Sequence, residues 1–183
     1  MKTFLLLIIA FIPAALSAQI DTAITYSRIN PVENTSKDEL YSRAHAWFNA
    51  TFKNAKDVLQ ITDRESGHLA GKGIGIMSFN QKAALGVKQT VTTMLKFNID
   101  VWVKDGKYKY VITSIDATDQ SAAKYHYGIL TSSDQMPIKM SFVGQKKGDE
   151  FWARLKNETE SYMDDFAKTL EVSMQKSASG TDF

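Results

Sequence analysis

One stretch, Thr92 to Asp116 (TTMLKFNIDVWVKDGKYKYVITSID), limits the possible folds more than any other. Two runs of alternating residues flank Asp105-Gly106. A two-residue Asp-Gly connection signals a hairpin, and the type I′ turn it favours needs positive φ at both central residues. With Lys104 opposite Lys107, Val103 pairs with Tyr108, Val101 with Tyr110, Ile99 with Ile112 and Phe97 with Ser114, giving a largely apolar face. The reverse face pairs Trp102 with Lys109, Asp100 with Val111, Asn98 with Thr113 and Lys96 with Ile115, and is mostly polar. A slip of one residue turns each strand's apolar set to the wrong side, so turn and pattern select one register. The expected product is an antiparallel sheet with one buried face and one wet face.

The remaining patterns supply its neighbours. Ile24 to Asn30 reads as a short strand ended by Pro31. Ser36 with Glu39 three residues on is a capping box. Behind it Leu40, Ala44, Trp47, Phe48 and Thr51 form one apolar helical stripe, with an exit at Asn54 to Lys56. Val58 to Thr62 and His68 to Phe79 read as strands around the polar turn Asp63 to Gly67. In the second of these, Gly71, Gly73 and Gly75 share one face, and Lys72, Ile74 and Ile76 the other. Three glycines in register predict close packing, a bend or a bulge on their side. Asn80 to Gly86 reads as a turn, and Ala117 to Gly148 as an irregular insert in which Ile138 to Val143 is the expected short strand. From Asp149 to Met174 a long helix is expected, with Trp152, Leu155, Thr159, Tyr162, Met163, Phe166, Leu170 and Met174 on its apolar side. Strand, helix, four strands, insert and helix make an α+β arrangement, with two helices packed on the apolar face of one antiparallel sheet.

Both ends of the chain read as lying outside that domain. Met1-Lys2, the apolar run Phe4 to Ile12 and the small-residue close Ala14 to Ala18 have the layout of a secretory signal peptide, residues 1–18. The run is shorter than the roughly 20 residues a spanning helix needs. Cleavage after Ala18 leaves Gln19 first and predicts an exported protein, periplasmic or extracellular, with no transmembrane segment in the mature chain. The domain is expected over 19–176 and a flexible tail over 177–183. Taking the 18 leader residues from 183 leaves 165, and 21 basic against 20 acidic residues once Lys2 is gone. That balance, with the charges interspersed, speaks against a nucleic-acid partner. There is no cysteine, which excludes disulfides, thiol catalysis, thiolate metal sites and a lipidated cysteine. Asn34, Asn49 and Asn157 head sequons that matter only in a eukaryotic host.

The run Ser36-Lys37-Asp38-Glu39-Leu40-Tyr41-Ser42-Arg43-Ala44 before Trp47 is followed by Asp63-x-Glu65-x-Gly67-x-Leu69-x-Gly71-Lys72-Gly73. In order and spacing these residues resemble the bacterial domain-of-unknown-function family 4468 over roughly Ile24 to Asp116. The resemblance implies a TBP-like fold, β-α-β4-α, in exported bacterial proteins. It brings no activity and no catalytic residues, and the fold name does not imply DNA binding. The long insert and the missing lipobox cysteine depart from the pattern.

Chemistry-bearing candidates are few. Gly71-Lys72-Gly73-Ile74-Gly75 lacks phosphate-loop spacing and leads into strand, so its glycines read as structural. Asp63, Glu65 and His68 span a turn in a way that suits a divalent ion, and equally suits a plain polar turn. His45 sits at the border of the first helix's stripe. No nucleophile, base and orienter set stands out. No cofactor, metal site or catalytic residue is assigned, and the chain reads as non-enzymatic. The possible binding face is the polar side of the hairpin, Lys96, Asn98, Asp100, Trp102, Lys109 and Thr113, joined by Tyr125, His126 and Tyr127 from the insert. There Trp102 serves as a cation–π partner of Lys109 or as an anchor, unless the insert covers it. One of the insert tyrosines is alternatively a plug at the sheet edge.

The expected function is an exported binding or assembly module for a protein, peptide or glycan partner. The alternative is a carrier of a small apolar ligand, held between sheet and C-terminal helix by Phe97, Ile99, Tyr108, Tyr110, Met163 and Phe166. An extracytoplasmic hydrolase built on paired carboxylates ranks third.

Overall fold

A computed structural model describes residues 21–52, 54, 58–82, 88–121, 125–139 and 143–176. The signal peptide and the tail expected from sequence lie outside the described residues. The elements are β1 (Tyr26–Pro31), α1 (Lys37–Thr51), β2 (Leu59–Asp63), β3 (His68–Lys82), β4 (Lys88–Lys104), β5 (Lys107–Asp119), β6 (His126–Ile129) and α2 (Gln145–Gln175). The strands form one six-stranded antiparallel sheet in the order β1-β5-β4-β3-β2, with β6 pairing the far half of β5. The fold is α+β, with both helices on one face.

The central hairpin has the expected register from Lys104↔Lys107 to Asn98↔Thr113. Two details differ. Positive φ in the turn is confined to Gly106, at +74°, the sign pattern of a type II turn and not of type I′. The turn is held from outside: Asp105 Oδ1 accepts the Lys37 backbone N–H at 2.7 Å, Gly106 N–H donates to Thr35 O, and Gly106 O accepts from Val32 N–H. Asp105 thereby serves an unpaired donor of the first turn of α1. The second difference is a bulge. Ser114 and Ile115 together oppose Phe97, so Lys96 pairs with Asp116 and not with Ile115. Ser114 takes φ +54° to make this possible. Without the extra residue, Ser114, Asp116 and Thr118 would continue the buried series of Tyr108, Tyr110 and Ile112. With it, Ile115 and Ala117 are fully buried and Asp116 faces outward.

Ser36 Oγ accepts the Glu39 N–H at 3.3 Å, the expected cap of α1, and Glu39 pairs with Arg43 at 2.8 Å. The buried stripe of α1 is Leu40, Tyr41, Ala44, Trp47 and Phe48; Thr51 is exposed and Phe52 takes the next inward place. Along α2, Trp152, Leu155, Thr159, Met163, Ala167, Leu170 and Met174 are buried, with Tyr162 and Phe166 packed against the core. The helices are stitched together by Trp47 Nε1 donating to Thr169 Oγ1 at 2.9 Å and Arg43 donating to Met174 O at 2.6 Å. Phe166 joins Trp47, Phe52 and Phe97 in a cluster of ring contacts.

The glycine face of β3 points into this core. A Cβ on Gly73 would stand 2.4 Å from the Phe97 ring, and one on Gly75 would stand 2.3 Å from the Tyr162 hydroxyl. Close packing is therefore what the three glycines serve. Strand β3 also runs on to Lys82, so Asn80 to Lys82, expected as a turn, are paired with Lys88 to Thr90; the rest of that turn lies outside the described residues.

The described part of the insert is tied into the fold. Strand β5 continues to Asp119, and the short strand among the described residues of the insert is β6. Ile138 and Lys139 are not in a strand, and 140–142 lie outside the described residues. Beyond β6 the chain clamps the start of α2, which begins at Gln145, four residues earlier than expected. Ser133 O accepts from Trp152 Nε1 and Lys156 Nζ, and Asp149 Oδ1 accepts from Met136 N–H.

Candidate functional site

With both helices on one side, the opposite face of the sheet is left open among the described residues. Strand pairing arranges it in rows. The first row reads Ile29, Lys109, Trp102, His68 and Asp63 across β1, β5, β4, β3 and β2, and the second Ser27, Val111, Asp100, Ala70 and Ile61. Next come Thr113, Asn98 and Lys72. The bulge then brings Ile129, Asp116, Lys96 and Ile74 into a fourth row, and His126, Thr118, Met94 and Ile76 into a fifth. Pro31, Lys107 and Lys104 close the face at the hairpin end.

All six hairpin residues expected on the face, Lys96, Asn98, Asp100, Trp102, Lys109 and Thr113, are on it. His126 joins them, exposed, with Nε2 2.6 Å from Asp116 Oδ1. Tyr127 does not. It is 2% exposed and packs on Phe151, with ring centroids 5.2 Å apart. Burial, with Asp119 nearby, pushes its hydroxyl pKa well above the usual tyrosine value. The bulge in β6, with Gly128 at φ +84°, turns His126 outward and Tyr127 inward. Tyr125 is half-buried against the core. Trp102 is half-buried, its ring stacked on His68 at 4.6 Å and 7° between planes, with Lys109 Nζ 5.9 Å from its centroid. His68 Nε2 in turn lies 2.8 Å from Asp100 Oδ1. The cation–π pairing expected of Trp102 is present, and a histidine stack that sequence spacing did not suggest occupies the other side.

What sequence reasoning missed is the apolar content of this face. Ile29, Ile74 and Ile76 are 62–64% exposed, and Ile61 and Ile129 are exposed as well. The signal was present in the alternation of Gly71 to Ile76, whose large residues all point away from the glycines. A depression of about 850 Å³ lies where β2 stops pairing with β3, lined by Lys72, Ile74, Lys96 and Asn98 and by Phe52 and Val58 after α1. A second cleft of about 410 Å³ lies at the hairpin end, between Ile29 and Trp102.

The other candidates have structural employment. Asp63 accepts the Ser66 N–H at 3.1 Å, and hydrogen bonding from Ser66 holds its carboxyl below the usual pKa. With His68 turned to Asp100, that trio does not converge, and no group of three or more ligating side chains capable of holding a metal occurs among the described residues. His45 is half-buried beside Asn49, 3.1 Å away. Of the residues expected around an apolar ligand, Phe97, Ile99, Tyr108, Tyr110 and Met163 are at most 3% exposed, and Phe166 closes on Phe97 at 5.2 Å.

The fold recurs in solved structures. A DUF4468 family protein from Bacteroides ovatus aligns with a TM-score of 0.61 at 18% identity, covering 86% of this chain and 89% of that one. A TBP-like protein from Parabacteroides distasonis aligns with a TM-score of 0.63 at 14% identity, covering 85% and 94%. At such identities the likeness is one of fold. No curated protein matches the sequence. The family model described as "Domain of unknown function (DUF4468) with TBP-like fold" matches residues 26–118, from the start of β1 to the end of β5. By that match the chain belongs to the DUF4468 family and carries its TBP-like fold.

Proposed function

We propose that this protein is an exported binding or assembly module, without catalysis or cofactor of its own, that captures a protein, peptide or glycan partner on the open face of its sheet. The observation that carries the reading is the composition of that face. Five exposed isoleucines and the half-buried Trp102 alternate with Lys72, Lys96, Lys109, Asp100 and Asp116, and no described element covers them. Contiguous exposed apolar surface rimmed by polar groups marks interaction sites in soluble proteins. An aromatic anchor amid hydrogen-bonding groups is the composition of binding hot spots.

The test is site-specific photocrosslinking in the native host. A photoreactive residue at Ile74, Trp102 or Ile129 is expected to give a discrete product. The same residue at Lys168, on the outer side of α2, is expected to give none. Equal labelling from both faces refutes the reading. Export is checked by the mass of the protein recovered outside the cytoplasm, which is expected to begin at Gln19.

A further inference from the structure

The hairpin end of the open face has a chemistry of its own. Lys104 and Lys107 are directly opposite each other across the turn, and Lys109 follows on the same side. Like charges facing each other across a strand pair destabilise a hairpin. None of the three lysines forms an ion pair among the described residues. Asp105, the acidic residue of the turn itself, faces the other way and accepts the Lys37 N–H of α1. The lysines border the cleft of about 410 Å³ whose walls are Ile29 and the Trp102 ring. That volume is within the usual range for small-molecule sites, which combine apolar walls with a few placed polar groups.

We infer that this cleft binds a small amphiphilic anion: a flat or aliphatic body seated between Ile29 and Trp102, with a carboxylate, sulfonate or phosphate group among Lys104, Lys107 and Lys109. The inference rests on the open face being a binding surface and names the chemistry of one end of it. An uncharged apolar ligand would leave the facing Lys104 and Lys107 without a counter-charge beside it. An inorganic anion alone would make no use of the indole and isoleucine walls. The anion also relieves the Lys104–Lys107 repulsion, so binding should weaken steeply as added salt screens that attraction.

The experiment uses two dyes of closely similar ring body, the anionic 8-anilinonaphthalene-1-sulfonate and the uncharged N-phenyl-1-naphthylamine. Each is titrated into the folded protein and followed by amide NMR. The sulfonate is expected to shift the resonances of Ile29, Trp102, Lys104, Lys107 and Lys109, and to bind at least tenfold more tightly than the neutral dye. In the variant K104Q/K107Q/K109Q, which keeps most of each side-chain stem, that advantage is expected to vanish while the thermal midpoint is held or raised. Shifts that map to Ile74 and Ile129, equal affinity for the two dyes, or undiminished sulfonate binding in the variant each overturn the inference. So does tighter binding of an acetylated acidic pentapeptide than of the sulfonate, which would assign the cleft to an acidic protein. Crosslinking from Ile74 and Ile129 in the lysine variant separates the two ideas. Products that persist there leave the open face a binding surface even if the anion site fails.

Discussion

Gly73→Ala isolates the tightest approach in the core. The added methyl would stand 2.4 Å from two carbons of the Phe97 ring, well inside contact distance, and the ring cannot simply turn away. It is 3% exposed and meets Phe166 edge-on, at 5.2 Å and 73°. Overpacking of this kind costs roughly 1–3 kcal/mol. Restricting the unfolded chain offsets about 0.4–1 kcal/mol of that. The net expectation is a loss of about 1–2 kcal/mol, a fall in melting temperature of roughly 2–8 °C for a domain of this length. Phe97→Leu removes the clashing ring edge, so the pair should be less destabilised than the sum of the singles, with a coupling of about 1 kcal/mol. Gly75→Ala is the internal control. Its methyl meets the hydroxyl end of the half-buried Tyr162, which has solvent to move into, so its loss should be about half as large. Chemical and thermal denaturation of the four variants decides the matter. A stabilised Gly73→Ala, or strict additivity with Phe97→Leu, refutes the close-packing account of the β3 glycines.

Two further outcomes follow from backbone and burial. Ser114 has φ +54° at the bulge that keeps Ile115 and Ala117 inside, so Ser114→Gly should hold or raise the urea midpoint, whereas Ser114→Val should cost about 1–2 kcal/mol; a harmless valine would mean the bulge is not needed for the phase of β5. The Tyr26 pKa is raised from 10.0 to about 12, by burial first and then by Glu160 and Asp164. Because the folded pKa lies above the unfolded one, this stability is complete below pH 10 and is lost as pH rises toward 12. Ultraviolet titration should therefore show late-ionising tyrosines, one fewer in Tyr26→Phe, and simultaneous ionisation of all seven near pH 10 would contradict the burial.

The hairpin, both helices and the identity of the wet face were legible because each is written in a local period: two for strands, 3.6 for helices. The register from Lys104↔Lys107 to Asn98↔Thr113 needed only alternation and a two-residue turn. The bulge was missed although it left a mark in the sequence: the inward apolar series Tyr108, Tyr110 and Ile112 changes phase to Ile115 and Ala117 after Thr113. Its cause lies in the partner strand and in the demand that Ile115 be buried. The turn type depended on docking against Thr35 and Lys37, just before and at the start of α1. Strand β6 was missed for a similar reason. Four residues containing a glycine carry little pattern, and they are held by pairing with β5 and by Tyr127 reaching Phe151. Of the candidate face, the hairpin residues were legible. The histidine stack on Trp102 was not, because it depends on β3 pairing with β4 in a register that no local signal sets.

Strand β3 gives the strongest physical reason to place function on the open face. A strand that serves only a one-sided core directs its large apolar residues inward and its small or polar ones outward. Here the order is reversed over six residues: Gly71, Gly73 and Gly75 point inward, while Lys72, Ile74 and Ile76 point outward, the last two 62% exposed. The inward glycines follow from the Val58 backbone carbonyl at Gly71 and the rings of Phe97 and Tyr162 at Gly73 and Gly75, which fill the space a side chain would need. That packing places no demand on what stands outside, where polar residues would fold as well and dissolve better. The outward isoleucines contribute little to the fold. Their place beside Met94, Lys96, Asp116 and Ile129 makes sense as a surface that spends part of its life covered, which is the condition the crosslinking from Ile74 is designed to detect.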